Sequence, residues 1–155
     1  MKILLKSAAV TALLLGSGLT QAATTTSSIP MGIDVPKSCT FSNVSAGIIL
    51  PEDGSEAQGA FSLLCNTGSF STVFSMDSKA AHGQFQVTNP NGVSLPIEGA
   101  VSRFNYDYRL DHSIGYIGFI GQVLDYIVKV KLQAPTTATT PAGVYTDTFR
   151  VNVTY

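Results

Sequence analysis

The 155-residue chain carries nine Lys and Arg against ten Asp and Glu, a formal net charge of −1, and only 12% of its residues are charged while 45% are hydrophobic. A chain this near neutrality, without a basic cluster, gives nucleic-acid binding no electrostatic footing. Its hydrophobic content excludes a disordered polymer.

Lys2 and Lys6 give the N-terminus a short positive start, Ala8 to Leu15 is a brief apolar run, and Thr20-Gln21-Ala22 places small residues at the −3 and −1 positions. That is the layout of a secretory signal peptide, 1–22, with cleavage expected after Ala22. The apolar run falls short of the ~20 residues a membrane span needs, and no later segment is a candidate span. Losing Lys2 and Lys6 leaves seven basic residues against ten acidic ones, a net charge of −3. Residues 23–155 are enough for one domain with a core of its own.

Residues 23–36 read as an N-terminal extension. Ile29, Met31, Ile33 and Val35 occupy alternate positions and would share one face of a strand, with Pro36 ending the run. The domain then spans 37–155. Its two cysteines, Cys39 and Cys65, lie in an exported chain and are most simply a disulfide. A metal site needs more ligands than two lone cysteines, and a redox pair is usually CxxC.

Beyond Cys39 the signals are strands and turns. Gly47 to Leu50 is a short apolar run closed by the turn sequence Pro51-Glu52-Asp53-Gly54. Strands are predicted over 60–65, 70–76, 84–88, 93–97, 104–110 and 123–132. Asn91-Gly92 predicts a hairpin, because both residue types accept positive φ. In 104–110, Phe104, Tyr106, Tyr108 and Leu110 alternate with polar residues, the pattern of a half-buried strand. The glycines of 114–121 (IGYIGFIG) predict an irregular strand or bulge, since GxxGxxG without a following helix is no nucleotide loop. A threonine- and proline-rich loop, 133–143, precedes a last strand-like stretch. No helix is predicted, and many short strands at this spacing imply a sandwich or barrel.

Chemistry-bearing constellations are scarce. His82 and His112 have no metal-ligand spacing around them, no serine sits in a GxSxG elbow, and Glu52, Asp53 and Glu56 cluster in one turn as a solvated loop would. The expectation is no catalytic residue, no metal, no cofactor and no enzymatic activity. A small secreted hydrolase is the weakest alternative.

The arm, Ser38-Cys39, the strand ending Leu64-Cys65-Asn66-Thr67-Gly68, and the terminal sequence AGVYTDTFRVNVTY (142–155) together resemble the spore coat protein U-like domains, including the Csu-type pilins of archaic chaperone–usher fimbriae. Residues 70–132 carry no motif of that family. The resemblance implies an all-β, immunoglobulin-like β-sandwich that lacks its last strand and is completed by a donor strand. It implies a structural subunit of a surface fibre, exported through the periplasm to the cell surface. Its partners would be a periplasmic chaperone, an outer-membrane usher and neighbouring pilin subunits. Carried onto this chain, the donor face is Ile29, Met31, Ile33 and Val35. The acceptor-groove edge is Phe149, Val151, Val153 and Tyr155, and Cys39–Cys65 staples the first strand to the second. Pro30 departs from an ideal donor strand because it lacks a backbone donor, which leaves open that the arm is an internal strand of a complete domain. The alternative function is a single-domain adhesin or tip-proximal binding module that recognises a surface or glycan, with exposed aromatics and the glycine-rich segment 114–121 as its binding face.

Overall fold

A computed structural model describes residues 25–80 and 83–155; the expected signal peptide and His82 lie outside the described residues. The chain divides between Asp34 and Val35. In 25–34 no strand or helix forms, and Ile29, Met31 and Ile33 are exposed.

Among the described residues the remainder holds nine strands: β1 (Cys39–Ser42), β2 (Ala57–Cys65), β3 (Ser69–Met76), β4 (Gln86–Thr88), β5 (Ser94–Arg103), β6 (Tyr106–Tyr108), β7 (Ser113–Ile117), β8 (Val123–Leu132) and β9 (Phe149–Thr154). They form an all-β, immunoglobulin-like sandwich. One sheet has the order β1-β2-β8-β5-β4, with β6 also paired to β5; the other is β7-β3-β9. All strand pairs are antiparallel. Alternation decides which side faces in: in β8, Leu124, Tyr126, Val128, Val130 and Leu132 are buried while Val123, Asp125, Ile127 and Lys131 are exposed.

An aromatic cluster joins the sheets. Phe74 of β3, fully buried, packs on Phe61 and Tyr126 of the larger sheet and on Phe149 of β9, at centroid distances of 6.1, 5.6 and 6.3 Å. Burial pushes the Tyr126 phenol far above its ordinary pKa, so the ring stays neutral in the core.

One sequence expectation needs correction. Residues 104–110 are not one strand. Arg103 pairs with Tyr106, and the intervening Phe104 and Asn105 have φ of 49° and 63°, so they form the two-residue turn of the β5–β6 hairpin. The hairpin expected at Asn91-Gly92 is the β4–β5 turn, where Gly92 has positive φ and the Asn89 side-chain oxygen accepts from the backbone N–H groups of Asn91 and Val93. The glycine-rich segment resolves into β7 and a following turn in which Gly118 and Gly121 take positive φ.

Cys39 and Cys65 face each other in register on β1 and β2 and are joined as a disulfide closing 26 residues. Loop-closure entropy gives this bridge roughly 3.5 kcal/mol. Cys39→Ser is therefore expected to lower unfolding free energy by a few kcal/mol in denaturant titration, and loss below about 1 kcal/mol would contradict a stabilising bridge.

Candidate functional site

The sandwich is open along one side. On that side β9 ends the smaller sheet and, among the described residues, has β3 as its only strand partner. Opposite it runs segment 43–50, which follows β1 and lies along the outer edge of β2. There the Ser45 N–H donates to the Ala60 carbonyl, and the Ala60 N–H donates to Ser45 Oγ. Gly59 permits this approach: a Cβ there would sit 2.8 Å from the Ile48 side chain.

Between these borders lies a groove of about 1180 Å³. Its floor is the core itself, with Phe61, Val128, Val130 and Ile97 reaching it from the larger sheet and Met76 from the smaller one. Phe41, Val44 and Ile48 line one wall and Phe149 and Val151 the other, while residues 136–148 border its rim. Val44 and Ile49 are 63% and 91% exposed, unusual for large aliphatic side chains beside an apolar cleft.

On β9 the inward side chains Phe149, Val151 and Val153 are only half-buried although all three pack on the core. Val153 is not in the groove lining, and Tyr155, 51% exposed, lies beyond the strand in a separate shallow hollow with Lys37, Ser69 and Ile117. On the outer face of β9, Arg150 makes a two-point ion pair with Asp77 and holds its carboxyl below the usual carboxylate pKa. This pair fixes the free edge strand against β3 without touching the groove. Among the donor residues of the sequence reading, Val35 is 65% exposed at the start of the domain.

Nothing at the groove resembles a catalytic or metal centre. Among the described residues no group of three or more His, Cys, Asp or Glu could hold a metal ion, and His112 is exposed with Nδ1 2.8 Å from the Leu110 carbonyl oxygen. No helix among them is long and apolar enough to cross a membrane. The geometry is that of an apolar cleft beside one free strand edge, to which an extended peptide could add by backbone pairing.

Segment 43–50 was missed by sequence reasoning as a groove wall; the run Gly47–Leu50 and the glycine at 59 were its only traces.

No protein-family model matches the chain, and no curated protein does. Solved structures do match. The CsuC–CsuE chaperone–tip adhesion subunit pre-assembly complex, from archaic chaperone–usher Csu pili of Acinetobacter baumannii, aligns with a TM-score of 0.52 at 17% identity, over 78% of this chain. This chain spans 40% of the length of that one. The P pilus rod subunit PapA aligns with a TM-score of 0.48 at 18% identity, over 78% of this chain and 99% of PapA. A chaperone–tip adhesin complex of CFA/I fimbriae biogenesis gives a TM-score of 0.48 at 13% identity, over 75% of this chain and 41% of the other. The alignment with the CsuC–CsuE complex shows a shared fold.

Proposed function

We propose that this protein is a non-enzymatic structural subunit of a chaperone–usher surface fibre of the Csu type, built by donor-strand exchange. It is exported by the signal peptide 1–22, held by a periplasmic chaperone, and passed to an outer-membrane usher. The observation that carries the reading is the groove, an apolar cleft of about 1180 Å³ floored by core side chains and bordered on one side by the free edge of β9 and on the other by segment 43–50.

The arm of another copy has the matching form. Ile29, Met31, Ile33 and Val35 present one apolar face, with Pro30, Gly32 and Asp34 on the other. Seven extended residues reach about 23 Å, enough to run the length of the six-residue β9. Pro30 lacks an N–H, so pairing begins at Met31. Phe149 and Val151, with Val153 continuing their face and Tyr155 at the end, form the acceptor edge. The fibre serves adhesion or biofilm formation.

A peptide of residues 25–37, added to the purified mature chain, tests this. Bound at about 100 times its Kd it is expected to stabilise the domain by ~2.7 kcal/mol and to shorten the ladder of multimers that the reading expects on a detergent gel run without boiling. A melting temperature and a ladder that ignore the peptide would overturn the reading.

A further inference from the structure

The two ends of the sandwich differ in charge and polarity. At one end lie the start of β1, the end of β2, the 118–121 turn and the β5–β6 hairpin tip. Asn66 ties the incoming chain there: its side chain donates to the Pro36 carbonyl and accepts from the Ser38 N–H, at 2.9 and 2.7 Å. Gly118 N–H bonds the Gly68 carbonyl and Gly121 N–H the Cys65 carbonyl, so the turn is stitched to the same end. Arg103 reaches across it, its guanidinium 4.5 Å from the Phe104 ring and 5.2 Å from Phe119. The surface is apolar and exposed: Phe104 is 85%, Ile117 84% and Ile120 60% exposed. Its cations, Lys37 and Arg103, form no ion pair among the described residues.

The opposite end carries the other sign. Glu52, Asp53 and Glu56 are exposed and form no ion pair among the described residues. They sit beside the 133–143 loop, where the Thr136 N–H donates to the Glu52 carbonyl. The Ser55 backbone N–H holds the Asp53 carboxyl below its usual pKa, keeping it charged.

We infer that the apolar, cationic end of one copy docks on the acidic end of the preceding copy, with Phe104 and Ile120 against the 133–143 loop and Lys37 and Arg103 facing Glu52, Asp53 and Glu56. This rests on the donor-strand reading. The arm leaves the domain at the apolar end, so an arm running antiparallel to β9 exits its acceptor at the acidic end and brings these two surfaces together. A parallel arm would instead oppose two cationic ends. The contact is heterologous, so it repeats without closing, as a fibre requires. Complementary charge fixes orientation and partner choice more than affinity.

Zero-length carbodiimide crosslinking of the mature chain tests the inference. In multimers, mass spectrometry should find Lys37 joined to the peptide holding Glu52, Asp53 and Glu56, and monomer should not show it. Lys37→Glu should lose this crosslink, and Phe104→Ser with Ile120→Ser should speed multimer dissociation about tenfold or more. Multimers that Ile33→Asp abolishes but that lack the crosslink would overturn the end-to-end contact and leave the donor strand standing. Multimers that survive Ile33→Asp, or no multimers at all, would overturn both.

Discussion

Ile33→Asp is expected to leave a chain that folds, binds its chaperone and builds no fibre. Ile33 is exposed in its own copy, so charging it costs that copy's fold nothing. Seated in a neighbour's groove, it would lose the roughly 1.5–3 kcal/mol of a buried aliphatic side chain and add the larger penalty of a carboxylate without a partner. Each 1.4 kcal/mol is about a factor of ten in association, so multimer yield should fall by at least about a hundredfold. Asp34→Ala, on the opposite face of the arm, should assemble normally. Surface fibres and chaperone co-purification are read together. Normal fibres from Ile33→Asp would remove the donor role, and loss of the folded subunit would make 29–35 an internal strand.

Phe74→Ala should be the most damaging single truncation within the domain. Its ring is fully buried and contacts both sheets and the free edge strand through Phe149. Emptying such a site costs about 3–5 kcal/mol, a large part of the 5–15 kcal/mol that typically holds a domain together. The urea midpoint of the purified mature chain measures it. A loss under about 1 kcal/mol would mean that the sheets are held by other contacts. Ile49→Ala, at a side chain 91% exposed beside the groove, is the control and should scarcely move the midpoint.

Strand positions were legible where alternation was long and unbroken. The reading of Val123–Leu132 matches β8 at both ends because ten residues alternate against a continuous core. The same rule misread Phe104, since an even spacing of aromatics persists through a two-residue turn. The left-handed backbone at Phe104 and Asn105 reverses the chain there, and Asn105 was the one local cue. The open side was legible only through family resemblance. Phe149, Val151 and Val153 alternate identically whether or not another strand lies beside β9, because alternation records which side faces in and not what covers the edge. The opposite wall was harder still, because Ile48 and Gly59 meet only through tertiary packing.

The bridge at the root of the arm has a mechanical meaning. In the proposed fibre, a subunit in flowing liquid would carry tension along its arm. That load enters the domain three residues after Pro36, at Cys39, which is covalently bound across the sheet to Cys65. The pull passes straight into β2, a strand hydrogen-bonded on both sides to β1 and β8. Without the bridge, β1 would be peeled from β2 one rung at a time, as a zip opens. With it, the β2–β8 rungs must shear together, so the subunit resists at its strongest seam and the four-residue β1 never bears the load.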